Sequence, residues 1–170
     1  MIRWGYDKIM SRLRQKYQQD GFYGIGLIHS VKGLNIGTLW RTAYVLGASF
    51  IFTIGNRYRY QPGDVTRTWT KIPLFHHDTF EEFYSTLAHD TRLVGVEMGE
   101  SAVELNRFDH PLRAVYLLGN EQVGLSSGVM GKCHSLVKLP GAFSLNVAVA
   151  GSLVMYDRVS KISHVLPGRG

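Results

Sequence analysis

The chain has 170 residues, enough for one domain with a sizeable core. Hydrophobic residues make up 45% and prolines number only 5, which excludes a disordered or collagen-like chain. A surplus of 19 Lys and Arg over 13 Asp and Glu gives a net charge of +6, which suits a polyanionic partner without requiring one.

Residues 1–21 open the chain with Tyr6, Met10, Leu13 and Tyr17 at helical spacing, surrounded by basic residues. The pattern predicts a basic amphipathic helix stopped near Gly21. Its charged face either contacts RNA or is simply solvated. "FYGIGLIHS" predicts a strand. Asn35 then opens a helix whose packed stripe runs through Ile36, Leu39, Trp40, Ala43 and Gly47. "ASFIFTIG" is a short buried strand. An irregular stretch follows over 56–73, and its part over 56–71 interleaves Arg57, Arg59, Arg67 and Lys71 with Tyr58, Tyr60 and Trp69. Arginine among aromatics suits the phosphates and unstacked bases of RNA; a loop that covers the sheet is the alternative.

Thr79 with Glu82 three residues on marks a helix start over 79–90. "TRLVGVEM", "RAVYLLG" and "HSLVKLP" predict strands, with a short helix or turn at "GLSSGVMGK" between the last two. The chain ends in a helix over about 144–161. Strands alternating with helices predict an α/β domain with a mostly parallel sheet flanked by helices.

Three polar clusters fall at strand ends, where open α/β sheets bind ligands. In "NIGTLWRTA", Asn35 suits a helix N-cap. Arg41 lies off the apolar stripe, either solvated or placed to hold a phosphate with its planar fork. In "LLGNEQVGL", Gly119 can present bare backbone to a ligand. Glu121 reads as a functional acid or as an early-helix carboxylate favoured by the dipole. In "GAFSLNVAVAGSLVMY", Ser144 can cap the last helix, and Asn146 falls among its free N–H groups. From Leu145 to Met155 that helix is apolar nearly all round, which predicts burial on every side, in the core or against a second copy of the chain.

Other chemistries lack their signatures. The 7 histidines show no zinc-ligand spacing, so no metal is expected. Neither a phosphate-binding glycine loop nor a nucleophile elbow occurs. Cys133 is the single cysteine, which fits a reducing compartment. No apolar stretch reaches the roughly 20 residues of a membrane span, and the first residues are too mixed for a signal peptide. A cytoplasmic protein without membrane contact is expected.

In order and wording, "NIGTLWRTAYVLG", "LLGNEQVGL" and "LPGAFSLNVAVAGSLVMYD" resemble the three motifs of the SpoU/TrmH family of RNA ribose 2′-O-methyltransferases, within the SPOUT superfamily. The resemblance runs from about residue 22 to 160. It implies a methyltransferase domain over 22–170 after a basic extension over 1–21, with the C-terminal part tied in a deep trefoil knot. It further implies S-adenosylmethionine held by Val96, Glu97, Gly119, Leu139, Ser144 and Leu145, a homodimer, and a tRNA or rRNA substrate. The implied catalytic set is Asn35, Arg41, Glu121, Ser144 and Asn146, with Arg41 also on the RNA beside Arg57, Arg59, Arg67 and Lys71. An arginine keeps its proton at any ordinary pH, so positioning and electrostatic roles suit Arg41 better than that of base. Two departures stand out. Only Gly141, Ala142 and Phe143 separate Pro140 from Ser144, about three residues fewer than the family pattern, and Ala148 replaces a small hydroxyl residue. The alternative function is therefore a SPOUT-fold RNA-binding protein with weak or absent catalysis.

Overall fold

A computed structural model of the chain describes residues 21–30, 32–58, 68–162 and 166. Its elements in chain order are β1 (Phe22–Ile28), α1 (Gly33–Val45), β2 (Phe50–Ile54), β3 (Leu74–His77), α2 (Phe80–Ser85), β4 (Arg92–Val96), β5 (Val103–Glu104), β6 (Arg113–Leu118), α3 (Ser127–Met130), β7 (Ser135–Lys138) and α4 (Val147–Lys161). Short 3₁₀ turns occupy Thr68–Thr70 and Leu105–Arg107. The basic helix expected over 1–21 lies outside the described residues, apart from Gly21.

The seven strands form one sheet in the order β3-β2-β1-β6-β4-β7-β5, and every pairing is parallel. This agrees with the α/β expectation. Two strands, β3 and β5, leave no mark in the sequence pattern: β3 is a half-exposed edge and β5 has two residues.

Alternation along the strands sends side chains to two cores. Tyr23, Ile25, Leu27, Val94, Tyr116 and Leu118 pack with α1 and α4 on one face. Phe52, Ile54, Leu93, Val115 and Leu117 pack with α2 and α3 on the other. Thr79 caps α2 as predicted, its hydroxyl accepting from the Glu82 N–H at 3.1 Å. α4 lies close upon α1 because residue 151 is glycine: a Cβ there would stand 2.5 Å from Leu39 Cδ1.

The far end of α4 is pinned by a buried polar clasp. Arg158 is 1% exposed and lies over the Tyr23 ring, 5.0 Å from its centroid. Its guanidinium donates to Pro111 O at 2.5 Å, Leu112 O at 2.8 Å and the Tyr116 hydroxyl at 3.2 Å. Having accepted that bond, the Tyr116 hydroxyl donates its own proton to His110 Nδ1 at 2.6 Å. His110 must then carry its proton on Nε2, which donates to Asp157 at 2.8 Å. Burial lowers the His110 pKa, and the Asp157 hydrogen bond only partly opposes this.

The remaining face of α4 is left open within the single chain. Val149, Leu153 and Tyr156 are exposed, with Leu145 beside them in sequence, so the helix is not buried on every side within one chain. Among the described residues no helix is long and apolar enough to cross a membrane.

Candidate active site

The chain leaves β1 toward β2 on one side, whereas β6 connects to β7 on the other. The crevice between the C-terminal ends of β1 and β6 is therefore the topological switch point, where such sheets bind ligands. At the end of β1, His29 adopts a left-handed φ of 53° and turns the chain toward α1. Asn120 Nδ2 donates to His29 O at 2.7 Å, and Asn56 Nδ2 donates to Ser30 O at 3.1 Å, so the bend is held from both sides.

A line of directed hydrogen bonds crosses the crevice. Glu121 follows β6 and offers only acceptors. Asn35 Nδ2 donates to its Oε1 at 2.6 Å, and the Ser30 hydroxyl donates to the same oxygen at 2.9 Å. With Nδ2 committed, Asn35 presents Oδ1, which accepts from Asn146 Nδ2 at 3.0 Å. Asn146 is then left with Oδ1, which accepts from the N–H groups of Ala148 at 2.9 Å and Val149 at 3.3 Å. One carboxylate thus fixes the orientation of two amides and, through them, the start of α4. Burial would raise the Glu121 pKa, but its own backbone N–H, Asn35, Ser30 and the Lys32 charge together hold it below the usual carboxylate value. Its second oxygen, Oε2, is buried and has no hydrogen-bond partner among the described residues.

This geometry corrects three local expectations. α1 starts at Gly33, so Asn35 sits inside its first turn and caps nothing; its amide is spent on Glu121 and Asn146. Ser144 does not cap α4 either. The helix begins at Val147 and Asn146 is its cap. Glu121 precedes no immediate helix, since α3 starts only at Ser127.

Beside the polar line opens a cleft of about 460 Å³. Val96, Glu97, Gly119, Leu139, Ser144 and Leu145 all border it, as does Glu121. Gly119 also has a structural use: a Cβ there would stand 2.3 Å from the carbonyl carbon of Gly124, so its bare backbone lets the returning turn pack against it. The Glu97 carboxylate braces the same turn, accepting from Leu125 N at 2.6 Å and Met98 N at 2.9 Å.

The basic residues do not gather here. Arg41 is exposed on α1, roughly 9 Å further along the helix axis than Asn35 from the rise per residue. It makes no ion pair or hydrogen bond with a described residue. Arg57 pairs with Asp78 at 3.5 Å, and Lys71 is exposed. The hydrogen bond from His76, with Arg57 alongside, holds the Asp78 carboxyl below its ordinary pKa. Arg59 and Arg67 lie outside the described residues. Sequence reasoning passed over Ser30 and the bracing role of Asn120. The available signal was a polar residue at a strand's C-terminal end.

The model of the SpoU rRNA Methylase family matches residues 25–156. The chain belongs to that family. It is 25% identical over 177 residues to the tRNA (guanosine(18)-2′-O)-methyltransferase of Mus musculus, a match covering 92% of this chain and 11% of that protein. Its fold matches the SpoU methyltransferase AviRb from Streptomyces viridochromogenes in complex with AdoMet, with a TM-score of 0.75 and 26% identity over 86% of this chain and 60% of that one. It also matches the AdoMet-bound rRNA methyltransferase from Sinorhizobium meliloti, with a TM-score of 0.72 and 25% identity over 84% of this chain and 57% of that one. The chain thus spans about a tenth of the curated relative and less than two thirds of either structure.

Proposed function

We propose that this chain transfers a methyl group from S-adenosylmethionine to a ribose 2′-hydroxyl of tRNA or rRNA. The observation that carries this reading is the hydrogen-bonded line Asn146–Asn35–Glu121–Ser30 at the rim of the cleft, in a chain of the SpoU family.

The cleft fits the cofactor. Its volume falls in the range of small-molecule sites, and its walls mix apolar side chains with polar ones around Glu121, whose buried Oε2 has no partner among the described residues. Val96, Glu97, Gly119, Leu139, Ser144 and Leu145 would hold it. When bound, S-adenosylmethionine supplies an electrophilic methyl on a sulfonium centre. Glu121, ionised at neutral pH, keeps Asn35 and Asn146 in fixed orientations, so the rim is set before any ligand arrives. Arg41 holds an RNA phosphate with its open guanidinium and remains protonated while doing so. The hydroxyl proton therefore passes to a phosphate oxygen or to water, with Arg41 acting through position and charge.

The same reading assigns 22–170 to the methyltransferase domain and 1–21 to a basic extension. It places Arg57, Arg59, Arg67 and Lys71 on the RNA. The deep trefoil knot belongs to it as well: β7 pairs between β4 and β5, two strands already joined by 97–102, which supports a threaded C-terminal segment. The exposed stripe of Val149, Leu153 and Tyr156 on α4 supports a homodimer. The cytoplasm is the compartment that an RNA substrate and a single cysteine suit. Calorimetric titration with S-adenosylmethionine, alone and with RNA, tests the proposal. Micromolar binding supports it, and absence of binding under both conditions rejects it.

A further inference from the structure

Two bare apolar side chains stand at the mouth of the cofactor cleft, apart from the hydrogen-bonded line. Phe143 is 87% exposed and Val123 is 81% exposed, and both border the cleft. Of the 8 phenylalanines, Phe143 alone is more than half exposed; Phe75 follows at 50%. Its ring makes no aromatic or cation contact with a described residue. A large apolar group left in water on the lip of a ligand cleft marks a contact surface.

The loops that carry these side chains are held in shape. Val123 lies on the turn after β6. Gly124 N donates to Asn120 O at 2.8 Å and Gln122 N donates to Asn120 Oδ1 at 2.7 Å, which closes that turn. Phe143 lies on the loop between β7 and α4. Leu139 packs one end of the loop on the core, and Asn146 fixes the other end through Asn35. Between them Gly141 takes a φ of 149°, which favours glycine, and a Cβ there would stand 3.4 Å from Phe143 O. β4 pairs between β6 and β7, so strand spacing sets the roots of the two loops about 10 Å apart.

Three occupants compete for an aromatic ring in this place: the cofactor, a second copy of the chain, and the RNA. The cofactor belongs inside the cleft, whereas the ring stands on its lip, mostly in water. A second copy seated on both lips would close the mouth through which cofactor and ribose have to pass. The α4 stripe read above as a dimer contact, Val149, Leu153 and Tyr156, does not border the cleft. The RNA, in contrast, has to come to this mouth. Its base is joined to the sugar carbon next to the one that bears the 2′-hydroxyl, so base and hydroxyl arrive together. Every base has a flat face that stacks on an aromatic ring.

We propose that Phe143 stacks on the base of the nucleotide being methylated, with Val123 as an apolar contact on the opposite lip. The proposal rests on the methyltransferase reading above and adds a substrate-binding residue to it.

The test compares Phe143→Ala, Phe143→Leu and Phe143→Tyr with wild type on a mixture of unmodified tRNA and rRNA. Methyl transfer gives kcat and the KM for RNA. Filter binding with S-adenosylhomocysteine present gives RNA affinity, at about 0.2 M salt, where phosphate contacts weaken. Calorimetry gives S-adenosylmethionine affinity, and sedimentation gives the oligomeric state. Phe143→Ala should raise the KM and the Kd for RNA about tenfold through lost stacking. Phe143→Leu keeps the apolar bulk without the flat ring and should lose nearly as much. Phe143→Tyr keeps the ring and should stay within about threefold of wild type. Cofactor affinity and oligomeric state should be the same in all four proteins. Unchanged RNA affinity in Phe143→Ala, or full affinity in Phe143→Leu, overturns the proposal. A loss of cofactor affinity with RNA affinity intact assigns the ring to the cofactor, and a loss of self-association assigns it to a second copy; each overturns the proposal too. A wild type that methylates no ribose rejects the proposed function and this assignment with it, whereas an active wild type matched by Phe143→Ala rejects this assignment alone.

Discussion

Replacing Asn146 by alanine removes two things at once. The first is the cap of α4, since Oδ1 accepts from Ala148 and Val149. Losing an N-cap costs about 1 kcal/mol. The second is the bond to Asn35, whose Oδ1 is left without its donor at the crevice. An unsatisfied, largely buried acceptor adds about 1–2 kcal/mol. The sum, about 2–3 kcal/mol, corresponds to a melting temperature about 4–12 °C lower for a chain of this size. Asn146→Ser separates the two effects. Serine can cap the helix but is too short to reach Asn35, so about half the loss should return. Thermal and urea unfolding followed by circular dichroism measure both variants, with methyl transfer assayed on the same preparations. Transfer should fall sharply in both variants, because both break the line of hydrogen bonds at Asn35 Oδ1. A melting temperature for Asn146→Ala within about 1 °C of wild type would refute the reasoning, because a working cap alone shifts it further.

The other expectations concern charge and burial. Arg41→Ala should abolish methyl transfer while leaving S-adenosylmethionine affinity intact and stability within about 0.5 kcal/mol, as befits an exposed side chain with no partner among the described residues. Near-normal turnover in that variant would remove Arg41 from the mechanism. Arg158→Leu should destabilise the fold by about 3–5 kcal/mol, because it removes three hydrogen bonds from a charged donor and leaves Pro111 O without a partner among the described residues. A loss under about 1 kcal/mol in urea unfolding would show the clasp to be dispensable. His110 titrates below its ordinary value when folded, chiefly because it is buried. The unfolded chain therefore takes up a proton that the folded chain refuses. Its contribution to stability is complete above about pH 6.5 and falls away as the pH drops toward the folded value. Melting temperatures across this range should show the slope in wild type and lose it in His110→Gln; parallel curves would contradict the assignment.

Much of the site is legible in the sequence because its residues stand at ends of regular elements. Asn35, Glu121 and Asn146 are polar residues beside apolar runs, and the fold brings all three to one switch point. Their local roles are harder to read. Ser144 and Asn146 are nearly equal as caps, and the choice falls to Asn146 because only its amide reaches both the helix and Asn35. Gly119 reads as an opening for a ligand, and only the fold shows that a turn returning from five residues later also packs against it. Arg158 is invisible for a different reason. Arginine in the last turn of a helix reads as a solvated residue that complements the dipole, and only the packing of β6 and its preceding loop shows it buried.

The central claim is methyl transfer to a ribose hydroxyl, and one measurement bears on it directly. The protein is incubated with S-adenosylmethionine and a mixture of unmodified tRNA and rRNA, the RNA is digested to nucleosides, and the products are resolved by mass spectrometry. The account predicts a 2′-O-methylnucleoside formed in step with S-adenosylhomocysteine, and neither product with Arg41→Ala. Methylation on a base, or no methylated nucleoside while S-adenosylmethionine binds, would contradict it.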